Sequence, residues 1–571
     1  MTNGGGEDER GTRQARRRAW ATFALVGALA GIGCSLVVAN DPKQCVSNAE
    51  CDGRGGPFTG TLCSDGVCVV DPLRDAGVDT GTFVDASDGG SACTTNAECI
   101  RASGGLPAVC LRPEMRCANL LSADCDKTVG PVDSDDAILV GTLFSRKTGT
   151  ENAPTNLARQ NSVELAVGEF AQRIVGLPGA PGQKPRPLAM IACHDNDDGK
   201  RAARHLTSLH VAAVIGPNSS GSVLDVATNV TIPAGTFLIT PTATSPAITN
   251  LPNKNGLVWR TCPSDAVQAL PLKDQIAALE SKVRSDNTSV AKVKVLVAYR
   301  NDAYGAGLYN ALSDVTLNGK PLADPDNAGS IKLTQFDAAG DLAPTVIDTS
   351  DVFRPHVIVL LGLAEVVTKL VGPIEARWPQ APTGDAGNPY PRPYYLLSDG
   401  GRVQALLDLA NGNDGLRTRI RGTVPSSDTA LGTAFSLRYQ SRFDSSPAYF
   451  GMAGSYDALY LVAYGIVASG QKSLTGTVLA DAMKRMIGGT KVDVGPNRIE
   501  DAVQILAAGG AIDFEGASGP LDFDVSKNEA PGDVDIWCVG KDGSGAPMFE
   551  SSGRAYRAAA NAIAGTYTTC Q

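Results

Sequence analysis

Ala137-Ile-Leu-Val-Gly-Thr-Leu-Phe144 decides how this chain is read. A charge-free run of this length makes a strand buried inside a sheet rather than one with a wet face. The helical segment that follows, Thr155 to Ile174, sets Leu157, Ala158, Leu165, Ala166, Phe170 and Ile174 broadly along one side. Outward from there the pattern repeats: Leu188 to Ala192, a helix near Arg201 to Leu209, Ala212 to Ile215, a helix from Val223 to Asn229, Phe237 to Ile239, and Val258 to Arg260. Aliphatic runs alternating with helices imply a parallel sheet covered on both faces, a doubly wound α/β lobe.

The alternation restarts at Lys294-Val-Leu-Val-Ala298 and continues through a helix beginning near Gly305, Val357-Ile-Val-Leu-Leu361, a helix from Ala364, and Tyr394 to Leu397. A second lobe of the same kind is expected. Open parallel sheets bind ligands beyond the carboxyl ends of their strands, so two facing lobes make an interlobe cleft lined by the turns after strands.

A chain of 571 residues is long enough for several domains, and with 43% hydrophobic and 19% charged residues it can bury a large core. Fifty Lys and Arg stand against 60 Asp and Glu, a formal net charge of −10, which argues against a nucleic-acid partner.

The N-terminus has the order of a signal peptide over residues 1–33: Arg13, Arg16, Arg17 and Arg18, an apolar run from Trp20 to Gly33, then Cys34. That run falls short of the ~20 residues of a membrane span. Gly31-Ile-Gly-Cys34 resembles a bacterial lipobox, with Gly31 in place of the usual aliphatic, and implies lipidation at Cys34.

Of the 14 cysteines, nine lie between Cys45 and Cys125. Two modules repeat one layout: Cys45-Val-Ser-Asn-Ala-Glu-Cys51 with Cys63 and Cys68, and Cys93-Thr-Thr-Asn-Ala-Glu-Cys99 with Cys110 and Cys117. Disulfides in an oxidising compartment are expected; a zinc site is disfavoured, since the modules lack CxxC pairs and all four histidines come later. Four cysteines allow three pairings, and spacing does not choose among them. Residues 71–91, rich in Asp, Gly and Thr, form a self-repelling linker. The region 34–128 is expected to act as a stalk, with a protein-docking module as the alternative. Further along, Cys538 with Cys570 is expected to clip the C-terminal tail, and at least one of Cys125, Cys193, Cys262, Cys538 and Cys570 is free or pairs unexpectedly.

Val214-Ile-Gly-Pro-Asn-Ser-Ser-Gly221, Leu238-Ile-Thr-Pro-Thr-Ala-Thr-Ser245, Arg260-Thr-Cys-Pro-Ser-Asp265, Asp302-Ala-Tyr-Gly-Ala-Gly307 and Tyr456-Asp-Ala458 occur in one order. Through them, Ala137 to about Lys541 resembles the type 1 periplasmic binding proteins, and within these the leucine/isoleucine/valine-binding family. The resemblance implies a binding domain over residues 129–571, with one lobe about 134–265 and 422–515 and the other about 266–421 and 516–571.

It also implies a site. Ser219, Ser220 and Gly221, with Thr242, Ala243 and Thr244, match two loops that hold a ligand carboxylate, Ser220 and Thr244 foremost. A helix N-terminus suits an anion on general grounds, and ordinary capping by Ser and Thr is the alternative. Tyr304 matches an aromatic that packs on the ligand, or else covers a helix end. Asp399, in Leu396-Leu-Ser-Asp-Gly-Gly401, falls where the family often pairs an acid with the ligand's α-amino group; a turn-forming Asp is the alternative. Where relatives often carry a second aromatic, this chain has Gly362-Leu-Ala-Glu365, which implies a wider or more aliphatic pocket.

No GxSxG, P-loop or HExxH motif is present, and His194-Asp-Asn-Asp-Asp-Gly199 is too short for a calcium loop; no enzyme, cofactor or metal is expected. The resemblance implies an envelope lipoprotein that captures an amino-acid-like or carboxylate solute for an ABC permease. A sensory receptor of the same fold, acting on a signalling partner, and an adhesive surface lipoprotein are the alternatives.

Overall fold

The computed structural model describes residues 61–64, 67–70 and 92–570 apart from 148–152, 180–181, 253, 379–389, 446–447 and 471–473. The expectations for 1–33, Cys34, Cys45, Cys51 and the linker 71–91 fall outside these residues. The chain divides into two units, residues 1–83 and 84–571. In the first, Thr61–Ser64 and Val67–Val70 pair as an antiparallel hairpin with Cys63 opposite Cys68.

In the second unit one sheet is built from β1 (Cys125–Val129), β2 (Ile138–Leu143), β3 (Leu188–Cys193), β4 (Ala213–Ile215), β5 (Phe237–Thr240) and β6 (Val258–Arg260). Their order across the sheet is β6-β5-β4-β2-β3-β1. All neighbours run parallel except β1, which is antiparallel to β3. A second sheet holds β7 (Val295–Arg300), β8 (Ile331–Phe336), β9 (Val357–Leu361), β10 (Tyr394–Leu397), β11 (Ile420–Pro425), β12 (Val534–Lys541), β13 (Pro547–Arg557) and β14 (Ala562–Gly565). Its order is β8-β7-β9-β10-β11-β12-β13-β14. It is parallel through β11 and antiparallel thereafter. Order reverses around β2 in the first sheet and around β7 in the second; crevices at such reversals are where open α/β sheets bind ligands.

Each sheet is covered on both faces, which is why β2 and β9 are buried along their whole length. On the first sheet lie α1 (Ala153–Arg173) and α2 (Ser220–Val226). On the second lie α3 (Asp265–Asp286), capped by Ser264, and α4 (Ala303–Ala311), capped by Asp302. The chain then returns to the first lobe through α5 (Ala430–Phe443) and α6 (Met452–Ala468). Every residue of α6 but the last is buried. Side chains such as Leu459, Leu461 and Ile466 there contribute about 1.5–3 kcal/mol each by leaving water.

Two expected lobe boundaries move. Residues 420–425 form β11, paired with β10 and β12, and so belong to the second lobe. Leu521, Phe523 and Ala530 belong to the first lobe's core, beyond its expected end at 515. The chain therefore crosses between lobes near 261–264, 426–429 and 531–533.

The second cysteine module is not held away from the lobes as a stalk would be. Cys93–Cys110 and Cys99–Cys117 are bonded, stapling the helix Asn96–Ala102 to the hairpin 108–119. The hairpin's Val109, Leu111 and Ala118, with Leu120 after it, share one core with Leu206, Leu209 and Val223 of the first lobe. Asn96 N–H donates to Asp135 (2.6 Å), and Arg201 grips Asp124 through two 2.6 Å bonds. The next strand, β1, extends the first sheet and is tied to β3 by Cys125–Cys193. Cys538 and Cys570 are bonded, and Cys262 is free and buried. Asp198 caps the helix after the His194 turn. Among the described residues, no helix is long and apolar enough to cross a membrane.

Candidate functional site

A cavity of about 80 Å³ lies between the lobes, at the carboxyl ends of the strands.

From the first lobe the loop after β4 brings Asn218, Ser219 and Ser220 to the wall. Ser219 caps α2, accepting from Ser222 N–H (3.2 Å) and donating to Ser222 Oγ (2.9 Å), so its hydroxyl is already engaged. Among the described residues Ser220 Oγ accepts only from Ser245 N–H (3.2 Å), which leaves its own proton free to donate. Thr242, after β5, also reaches the wall and donates to the Asn218 carbonyl (2.7 Å).

Ala243 and Thr244 do not line the cavity. Past Thr242 the chain turns inward, and both residues are buried. The Ala243 N–H is used by Thr240 Oγ1 (3.3 Å), while the Thr244 carbonyl accepts from Asp265 N–H and Arg260. Of the expected pair, Ser220 therefore lines the cavity and Thr244 does not.

The second lobe supplies Tyr304 and Asp399. Tyr304 Oη donates to Asp399 Oδ1 at 2.6 Å and lies 2.9 Å from Ser398 Oγ; Gln268 Nε2 donates to the same Oδ1 at 2.8 Å. Both expected side chains are thus at the wall and joined through Asp399 Oδ1. Burial raises the Asp399 carboxyl above its ordinary range, and the Tyr304 and Gln268 donors partly offset this. Beneath them Asp265 is fully buried and makes no ion pair among the described residues. Burial, then the Asp399 charge, hold its proton on well above the usual pH.

Leu363 forms the wall where an aromatic was absent from the sequence; its N–H is held by Glu365 Oε1 at 2.9 Å. Tyr449 and Phe450, between α5 and α6, complete the apolar surface. Gly451 lets this loop close in. Its φ is +86°, and a β-carbon would stand 2.0 Å from Thr242 Cγ2.

Sequence reasoning missed Arg159. It stands on α1, half-buried at the wall. Its Nε and Nη2 donate to the Phe450 carbonyl (2.9 and 2.7 Å), and Nη1 donates to Asn156 Oδ1 (2.6 Å). Guanidinium carries five N–H donors, so two remain, and no ion pair to Arg159 occurs among the described residues. Burial pushes its pKa down to about 10, with Asp399 pulling the other way, and it stays charged at neutral pH. An arginine one helical turn from Asn156 was the available signal, but its loop partner is 291 residues away.

No family model matches the chain. The substrate-binding protein BasB of a chemotactic signal transduction system in Halobacterium salinarum is 25% identical over 376 residues, covering 64% of this chain and 78% of that protein. LivJ, a branched-chain amino acid transporter substrate-binding protein of Streptococcus pneumoniae solved with isoleucine, superposes with a TM-score of 0.50 at 19% identity, over 73% of this chain and 99% of that one. A solute-binding protein of an ABC transporter from R. palustris, solved with 4-hydroxybenzoate, gives 0.52 at 15% identity, over 73% and 96%. This likeness shows the fold, two doubly wound lobes facing each other across a cleft.

Proposed function

We propose that this chain, which has the type 1 periplasmic binding protein fold, is an extracytoplasmic solute-binding protein that closes its lobes on a small carboxylate-bearing solute. The observation that carries this is Arg159, a guanidinium with unused donors and no ion pair among the described residues, beside the free Ser220 hydroxyl. A partly buried cation without an ion-pair partner is costly unless a ligand supplies one. Across the cleft Asp399 Oδ2 would receive an ammonium if the solute has one, and Tyr304, Leu363 and Phe450 would cover its apolar part. Binding of this kind needs no chemistry, only closure, and closure would report occupancy to a membrane partner.

Two partners fit. LivJ and the R. palustris protein serve transporters, which supports capture for an ABC permease. BasB belongs to a chemotactic system, which supports a signalling receptor. Export by residues 1–33 and a lipid on Cys34 would place either form at the membrane surface, with the first cysteine module near the anchor.

A thermal-shift screen of the full-length protein against amino acids and small carboxylates tests the reading. Stabilisation that grows with the logarithm of solute concentration is expected for at least one of them. A melting temperature unmoved by the whole panel at millimolar concentration would overturn it.

A further inference from the structure

Arg402 carries the site one step further. It reaches the cavity from the second lobe, opposite Arg159, and also faces a neighbouring space of about 320 Å³ walled by Trp537 and Phe549. Its Nη1 donates to the Ala448 carbonyl at 2.8 Å, its buried Nε has no partner, and its guanidinium lies 4.7 Å from the Phe549 ring centre. Like Arg159, it makes no ion pair among the described residues. Burial holds its pKa below the usual arginine value, with Asp535 the one carboxylate that pulls it back.

The acids facing these two cations do not neutralise them. Asp302 is taken by Arg300 (2.7 Å) and by the N–H groups that start α4. Asp535 is drawn toward Arg557 (3.8 Å). Asp399 is shared with Tyr304 and Gln268, and Asp428 and Glu550 line only the neighbouring space, with no ion pair to Arg402 among the described residues. Within the interlobe cavity the two guanidiniums therefore face no carboxylate but Asp302 and Asp399. They also converge: Arg159 holds the Phe450 carbonyl and Arg402 the Ala448 carbonyl. Both also line the same cavity, so one small molecule can meet both.

We infer that the solute carries two carboxylates, one held by Arg159 and the other by Arg402, with an α-ammonium admitted by Asp399. This rests on the solute-binding reading above and narrows it to acidic amino acids and dicarboxylates. Arginine's paired donors suit carboxylates in a way no neutral residue here does.

Calorimetric titration of the full-length protein with glutamate, glutamine, glutarate and leucine tests it. Wild-type protein is expected to prefer glutamate over glutamine by about tenfold or more, the scale of one charge-assisted contact. Arg402→Met should shrink that ratio to about threefold or less, and Arg402→Lys, which keeps the charge but loses the paired donors, should fall between the two. Leucine or glutamine binding as tightly as glutamate, or an Arg402→Met ratio equal to the wild-type one, would overturn the two-carboxylate site while leaving solute binding intact. Failure of all four to bind, together with an unresponsive thermal-shift panel, would overturn both.

Discussion

Tyr304 Oη donates to Asp399 Oδ1 at 2.6 Å, and this bond fixes the carboxylate that a ligand ammonium would meet. Burial raises the Asp399 pKa in the folded protein, so the folded state holds this proton to higher pH than the unfolded chain does. Its effect on stability is then largest at low pH and is lost as pH rises through the folded value. Ammonium binding has the opposite sign, because only the ionised carboxylate pairs with it. Affinity for an α-amino acid should fall as pH drops from neutral toward the carboxylate range, and affinity for its deaminated analogue should not follow. Asp399→Asn should erase the difference between the two profiles. Superimposable profiles in the wild type would remove Asp399 from the site.

Gly451 sits at positive φ, with Thr242 where a side chain would go. Gly451→Ala should cost about 2 kcal/mol or more from the backbone conformation and the clash together. Urea unfolding would show it, with solute affinity falling as Phe450 is pushed away from Arg159. An alanine variant as stable as wild type would contradict the close approach.

Cys125–Cys193 closes a loop with a sequence separation of 68 and pins β1, the strand that follows the second cysteine module, to β3. Replacing both cysteines with alanine should cost about 2–4 kcal/mol. Limited proteolysis should then cut between residues 118 and 138 before it cuts either lobe. Unchanged resistance would mean that the packing of Leu111 and Leu120 holds the module without help.

Ser220→Ala should weaken solute binding by about tenfold, because it removes a free donor at the wall. Thr244→Val changes a buried side chain outside the cavity and should leave affinity within about twofold. Calorimetry on the two variants separates them; equal losses would return Thr244 to the site.

That contrast also shows how far the sequence could be read. The lobes were legible because β2, β7 and β9 are dominated by aliphatic residues, and the loop after each strand could be placed by counting outward. Ser219, Ser220, Thr242, Tyr304 and Asp399 all follow strand ends and all reach the wall. Thr244 lies off the wall because the chain past Thr242 is buried, which local spacing does not show. Arg159 and Arg402 were invisible because their roles depend on a loop hundreds or tens of residues away, at 448–450. The second module's docking was hidden for the same reason: Val109 and Leu111 look like a small module's own few apolar residues until Leu206 is found against them.

If Arg159 anchors a carboxylate in the interlobe cavity, titration of the best-binding solute into wild-type and Arg159→Met protein should separate the two. Saturable one-to-one binding is expected, weaker by about tenfold or more in the variant. Equal affinity for the two proteins would contradict it.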